Sequence, residues 1–593
     1  MPRAPSSRSS ADPLHGDGPG EWSGDHPAGS GEAIRSISKP GRGLAAFPDA
    51  GAGLPWSASL QRSTGSPPLT DRLLRSWLRC RRRAWLDRHG PAEQRQWNAH
   101  RALALEEQLR CFQQLLPSRP GRGEEACRRG EAGVIGLRLF GRLERPGLPG
   151  ALALEAHPPL LQRVEGSSRW GAFAYRPVLA RQGRHLTREH RLQLALWGHL
   201  LAAHQGGAVP RALALGRGER GLEREQLNLS GGLQHQLEEG LQRLQADLQR
   251  PEPPPLVNDR KKCVLCSWRG LCDGVAAEEG HLSEVSGIGG KRRDLLLAQG
   301  ITSLQELAAT DPDHLAEALA VHGEQHREVA PQLVAQARVQ AAGVPLRRAG
   351  AGLQALPELS TAAGVFLYDI ESDPDARDDF LHGFLSLRRQ PDGQWPRLDA
   401  SGQEASAGAS AAAGWQAAPA QSRFQPLLAL QEHGEQRLWR RLKALLQCHP
   451  DWPVLHYGET EAIGLLRLAE RMGASPAERE RLRGRLVDVH QRLRQHWLLP
   501  VNSYGLKAVA GWRGFRWSQS GVDGARCLLW WRQWRLGWQR QGQVFRPVNT
   551  PRSRHQLQRI FTYNRDDCLA TWWVTCWLLE QDHQQGTAAG RRG

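Results

Sequence analysis

Val365-Phe366-Leu367-Tyr368-Asp369-Ile370-Glu371 is an apolar run that ends in two carboxylates two residues apart. Its length and its aromatic and β-branched content read as a buried strand. Side chains alternate along a strand, so Asp369 and Glu371 share one face of its end, a geometry suited to a divalent cation. Residues 380–387 read as the hairpin partner and 454–457 as a third, short strand, after which long helices dominate. Near the C-terminus, Tyr563-Asn564-Arg565-Asp566-Asp567-Cys568-Leu569 has a helical pattern. Tyr563 and Asp567, four apart, therefore share a helix face and can meet the strand acids at one site. Taken alone, Asp369 and Glu371 suit a solvated strand end equally well.

Around this stretch the composition sets limits. The chain has 593 residues, enough for three or four domains at ~150 residues each. With 40% hydrophobic residues and mean hydropathy −0.53, it can build water-soluble cores, and it has no apolar run of ~18 residues to span a bilayer. No charged segment followed by a short apolar stretch opens the sequence, which predicts a cytoplasmic location and no membrane partner. The net charge is +17, and only six of the 78 basic residues are Lys. Arg in that abundance suits a polyanion, although joint enrichment in Arg, Ala, Gly and Pro also follows from a GC-rich genome. Placement therefore says more than totals. Ten of the 22 Trp lie within residues 494–593, which carry +10 of the charge. The interleaved Trp530, Trp531, Arg532, Trp534, Arg535 and Trp538 read either as a strip that tracks phosphates and stacks bases or as a Trp-rich core under an Arg surface.

Residues 1–65, rich in Gly, Ser, Pro and Asp, are expected to be a disordered tail. An amphipathic helix is predicted over 71–88, with further helices over 98–116 and 188–204 and Gly- and Pro-punctuated strands between them. Pro251 to Pro255 form a stiff linker, several short helices follow within 280–345, and the α/β region occupies 360–585. Within that region, 391–423 is expected to be a disordered insertion, densest in Ala, Gly and Ser over 401–420.

Three of the ten cysteines form Cys263-x2-Cys266-x5-Cys272. Disulfides do not suit a cytosolic chain of this size. A zinc site would show a second close pair of Cys or His, and none follows. A fourth ligand must come from far away, and Cys80 stands in Ser76-Trp77-Leu78-Arg79-Cys80-Arg81-Arg82-Arg83. This layout resembles the iron-sulfur RecB-like nucleases. The resemblance implies that Cys80, Cys263, Cys266 and Cys272 hold a [4Fe-4S] cluster that staples the ends of a restriction-endonuclease-like domain over 70–275. A zinc knuckle with another ligand, or plain buried thiols, is the alternative.

The family's nuclease motif is degenerate here. Pro159 stands where its metal-binding Asp belongs, Leu179 and Arg181 stand where its acid and Lys belong, and Gln193 leads to Trp197 instead of Tyr. His100 matches a family His but cannot hold Mg2+ without carboxylates. The domain is therefore expected not to cut, while its shell remains available to DNA.

Ser286-Gly287-Ile288-Gly289-Gly290-Lys291-Arg292-Arg293, followed by an apolar helix, looks like a helix-hairpin-helix. Gly287 and Gly289 let the backbone approach a phosphate, and Lys291, Arg292 and Arg293 add charge, so the segment is expected to contact nucleic acid. Such hairpins also serve as protein contacts.

The strand acids and the Tyr563/Asp567 helix together resemble the DEDDy class of 3′-5′ exonucleases with an RNase H-like fold, most closely its YprB-like branch, some members of which follow a RecB-like domain. The second motif falls in Leu455-His456-Tyr457-Gly458-Glu459-Thr460-Glu461. There Glu461 is the match, Glu459 competes, and Glu replaces the Asp usual in the class. Asp488 and Ser503-Tyr504-Gly505-Leu506-Lys507 resemble further family segments, with Lys507 placed to touch a phosphate.

The resemblance implies phosphodiester hydrolysis with two Mg2+ or Mn2+ ions. Asp369 would bridge them, Glu371 and Asp567 would hold one, Glu461 would reach the other, and Tyr563 would orient the attacking water. The expected protein is thus a multidomain α/β chain comprising a degenerate restriction-endonuclease-like domain, a helix-hairpin-helix segment and an RNase H-like exonuclease domain. It would act on single-stranded DNA or RNA, with a helicase or repair protein as a candidate partner. The rival reading is a non-catalytic iron-sulfur adaptor that binds nucleic acid.

Overall fold

The computed structural model describes residues 56–58, 67–144, 151–181, 183–218, 221–376, 378–397, 422–430, 433–536, 538–541, 544–547 and 551–590. Residues 55–593 form one compact unit. Among the described residues, no helix is long and apolar enough to cross a membrane.

The helix expected over 71–88 is two helices, Asp71–Arg79 and Arg81–His89. Cys80 breaks them with an extended backbone (φ −164°, ψ 121°). The break is satisfied locally. The Cys80 N–H donates to the Ser76 carbonyl, and its sulfur accepts from Arg83 N at 3.4 Å, so one residue closes the first helix and caps the second. The helices expected over 98–116 and 188–204 are observed as Ala99–Leu115 and Arg188–Gln205. The latter starts at a Thr187/His190 capping box and stops at Gly206, whose φ of 62° lies in the left-handed region. Leu192, Leu194, Leu196, Leu200 and Leu201 are all buried, which makes it the central helix of the front region.

Two sheets flank that helix. One orders strands Trp56–Ala58, Leu139–Leu143, Leu152–Ala156 and Leu69–Thr70. The other orders Gly221–Asn228, Arg211–Gly218, Ala174–Ala180, Leu160–Val164, Gly133–Ile135 and Gly121–Arg122. The expected disordered tail therefore needs correcting at Trp56–Ala58, which pairs with Leu139–Leu143. The rest of the tail up to residue 66 lies outside the described residues.

In the C-terminal region, strand Gly364–Asp373 is central to a five-stranded sheet. It pairs antiparallel with Asp378–Arg388, which pairs in turn with the edge strand Ser422–Leu428. On its other side lies the parallel strand Val454–His456, followed by Leu486–Asp488. One face buries Val365 and Leu367 against the helix Pro551–Gly590 through Leu569, Trp572 and Val574. The other face buries Phe366 and Tyr368 against Leu438 and Leu442 of helix Glu435–Gln447 and Leu465 of helix Glu459–Arg471.

The expected insertion 391–423 is narrower at both ends. Trp395 packs edge-on to Trp572 at 5.4 Å, Trp572 Nε1 donates to the Pro396 carbonyl at 2.9 Å, and Ser422 and Arg423 belong to the edge strand. Residues 398–421 lie outside the described ones.

The Trp/Arg run in helix Gly524–Leu536 is a buried wall and not a base-stacking strip. Trp530, Trp531 and Trp534 are each less than 8% exposed. Arg532 makes a bidentate pair with Asp373 at 2.6 and 2.8 Å and reaches Asp375, so its charge is satisfied inside the protein. Trp538 lies in strand Trp538–Gln541. Leu103 of the front helix Ala99–Leu115 enters the same apolar cluster beside Phe380, Trp531, Ile560 and Tyr563, and Arg526 lies 4.1 Å over the Trp97 ring. The front region is thus packed against one wall of the C-terminal region.

Candidate catalytic centre

Strand register puts Asp369 opposite Gly383 and Glu371 opposite Leu381, with a bulge just after Glu371. Both carboxylates leave the face that packs on the C-terminal helix. That helix presents Tyr563, Asn564 and Asp567 toward them. One carboxylate oxygen each from Asp369, Glu371 and Asp567 lie within 4.8 Å of one another, and among the described residues this is the one group of three or more potential metal ligands so close together.

Electrostatics shows the strain in the arrangement. Burial, then the charges of Asp567, Glu371 and Glu461, push the Asp369 carboxyl well above the usual range. Glu371 is raised by burial and Asp567, with Lys507 opposing. Burial pushes Asp567 up to about 6 against the Trp517 bond, the Lys507 charge and a Tyr563 bond that hold it down. Carboxylates this crowded need positive charge to ionise together.

Glu461 sits in the first turn of helix Glu459–Arg471 and is buried, whereas Glu459 is exposed. The two carboxylates thus differ in burial. Burial pushes Glu461 up to about 7, assisted by Asp488 and Asp567, and its Oε2 is buried without a hydrogen-bond partner. Asp488 braces this turn by accepting from Gly458 N and Gln491 N, both at 3.1 Å. Tyr563 is 5% exposed and bonds to Asp567. Burial and the neighbouring acids raise its phenol far above the ordinary value, so it stays protonated and keeps its O–H as a donor.

Three further contacts belong to the centre. Asn564 Nδ2 donates to Asp369 Oδ2 at 2.6 Å. Its place exists because residue 383 is glycine: a Cβ there would meet Asn564 Oδ1 at 1.6 Å. Trp517 Nε1 donates to Asp567 Oδ1 at 2.6 Å. Lys507 Nζ donates to the Val522 carbonyl at 2.6 Å. Asn564 was legible in principle, since it lies three residues before Asp567 and positions i and i+3 of a helix share a face. Trp517 and Gly383 carry no local signal, because only the sheet register and the loop after helix Leu506–Trp512 bring them in.

A family model of the RNase H superfamily matches residues 411–579. The chain carries an RNase H-like domain. The match includes Glu461, Lys507, Tyr563 and Asp567, whereas Asp369 and Glu371 precede it and join through the sheet. No curated protein matches the chain. The RNase H-like domain implies nucleic-acid binding and is compatible with nuclease chemistry, and nucleases of this fold use divalent cations. The residues fit such a group: three clustered carboxylates and an orphaned buried Glu461 oxygen supply hard oxygen donors in need of countercharge.

Elsewhere, the thiols of Cys80, Cys263, Cys266 and Cys272 come within electrostatic reach of one another, and all ten cysteines are free. Burial, then Cys80 and Cys266, push Cys263 up to about 11. Arg82 hydrogen-bonds the Cys272 thiol, and Trp268 Nε1 donates to Asp87 at 2.9 Å, tying the two cysteine segments together. At the degenerate front site, Leu179 is buried, and Arg181 pairs with Glu223 at 2.8 Å and Glu225 at 3.6 Å, filling the place of an acid and its lysine. Gln193 is buried, Trp197 Nε1 bonds Asp71 at 2.9 Å, and His100 is exposed. In the hairpin, Gly287 has φ +97°, Gly289 caps helix Gly290–Ala298, and Lys291 is exposed. Arg292 donates back to the Gly287 carbonyl at 2.7 Å and Arg293 to Asn258.

Proposed function

We propose that the protein is a metal-dependent 3′-5′ exonuclease of single-stranded DNA or RNA, with a non-cutting, iron-sulfur-stapled RecB-like domain and a helix-hairpin-helix segment that hold the strand. The observation that carries the reading is the close convergence of half-buried Asp369 with buried Glu371 and Asp567, with the unpartnered Glu461 oxygen beside them. These four residues would hold Mg2+ or Mn2+, which when bound makes water more acidic and offsets charge on the phosphate. Tyr563, kept protonated and bonded to Asp567, orients the attacking water through its hydroxyl. Glu461, pushed up to about 7 by burial and the acids around it, would be kept ionised by the cation it helps to hold. Asn564, Trp517 and Tyr563 each donate to a catalytic carboxylate, leaving the remaining oxygens for the cation.

Four thiols drawn from both ends of the front region support the cluster assignment. A [4Fe-4S] centre would supply a covalent staple and the positive charge that lets neighbouring thiolates coexist. Polarity and strandedness rest on the resemblance to DEDDy exonucleases.

The deciding experiment uses 3′- and 5′-labelled single-stranded DNA and RNA with Mn2+ or Mg2+. It compares anaerobically purified wild type with Asp369→Ala and Asp567→Ala. Stepwise loss from the 3′ end by wild type, absent in both variants, is the expected result. Binding without cleavage by all three proteins would leave the iron-sulfur adaptor in its place.

A further inference from the structure

The acidic centre also contains a cation. Lys507 lies at the start of helix Leu506–Trp512, and its ammonium is anchored on the Val522 carbonyl at 2.6 Å. From there it sits 5.0 Å from the Tyr563 ring centroid and 5.8 Å from that of Trp517. These are the two side chains that bond to the Asp567 carboxylate. A cation over an aromatic face is attracted to it, so one ammonium holds both rings that orient Asp567. Lys507 is exposed, so its bond to the Val522 carbonyl, and not burial, holds the ammonium over the two rings.

We infer that Lys507 is a positioning residue of the catalytic centre. Anchored on Val522, it clamps Trp517 and Tyr563 around Asp567 and supplies standing positive charge beside Glu371 and Asp567. The inference rests on the metal-dependent reading of that site. Two consequences follow. A fixed cation repels an incoming divalent ion, so the native site binds metal more weakly than its carboxylates alone would allow. What it provides in exchange is a rigid Tyr563 and Asp567, which should show in turnover and not in substrate affinity.

The test measures Mn2+ binding to the full chain, without nucleic acid, by the electron paramagnetic resonance of free Mn2+. Wild type is compared with Lys507→Met and Lys507→Arg, alongside steady-state cleavage of single-stranded substrate. Lys507→Met is expected to bind Mn2+ about tenfold more tightly while kcat falls at saturating metal and KM is little changed. Lys507→Arg should keep the wild-type Mn2+ affinity. An unchanged or weaker Mn2+ affinity in Lys507→Met overturns the inference, and with a raised KM it assigns Lys507 to the phosphate alone. Absence of Mn2+ binding by wild type overturns the metal reading itself, a different result from equal binding by wild type and variant.

Discussion

Asp567→Asn removes one charge from the crowded centre and should stabilise the metal-free protein at alkaline pH. A carboxyl moved from its ordinary 3.8 to about 6 costs about 3 kcal/mol to hold ionised once the pH exceeds the higher value. Because the folded-state value is raised, the penalty is absent below about pH 4, grows as the pH climbs from there to about 6, and is complete at pH 8. Asn removes it but turns an amide N–H2 toward Trp517 or Tyr563, at a cost of about 1 kcal/mol for the lost bond. The variant should therefore gain about 2 kcal/mol at pH 8 and lose slightly at pH 4. Thermal unfolding in chelator is the assay, and a gain of that size moves Tm by about 2 °C for a unit as long as residues 55–593. Adding Mn2+ should reverse the order, since a ligand at about 100 times its Kd adds about 2.7 kcal/mol to a protein that binds it. A variant melting at or below wild type in chelator at pH 8 would refute the electrostatic account of the centre.

Gly383→Ala should displace Asn564 from Asp369, because the new methyl would fall 1.6 Å from Asn564 Oδ1. About 1–3 kcal/mol of stability and most of the nuclease activity should go together, read by urea unfolding and by the labelled-strand assay. Trp517→Phe keeps the ring but deletes the N–H that bonds Asp567 at 2.6 Å. A fall in kcat of roughly tenfold with a stability loss of about 1 kcal/mol is expected, and unchanged kcat would remove Trp517 from the centre. Leu103→Ala, in the front helix, should cost about 2–4 kcal/mol through the cavity it opens beside Phe380, Trp531 and Tyr563. Faster limited proteolysis within 99–115 would mark loss of that packing.

Much of the centre could be read along the chain. The strand ending in Asp369 and Glu371 and the helix with Tyr563 four residues before Asp567 are periodic signals, and periodicity is local. The hairpin partner at 380–387 and the short strand at 454–457 follow from the same signals, and the structure places them in one sheet. The edge strand Ser422–Leu428 escaped because its run includes Gln425 and Pro426 and borders an Ala/Gly/Ser-rich stretch.

The single helix expected over 71–88 failed at Cys80 for a related reason. Helical periodicity passes unchanged through a residue whose backbone is extended between two helices.

By itself, then, the sequence determined which residue types meet: carboxylates at a strand end, a Tyr and an Asp on one helix face, and thiols at the two ends of the front region. Tertiary structure alone buries Glu461 and exposes Glu459, because burial is a property of the packed helix and not of its sequence. It also decided that the Trp/Arg run is an interior wall, since the Asp373 and Asp375 partners of Arg532 lie more than 150 residues away along the chain. Trp517, Gly383 and the anchored Lys507 entered the site in the same way. Contacts between residues far apart in sequence depend on register and loop path, which no local period encodes.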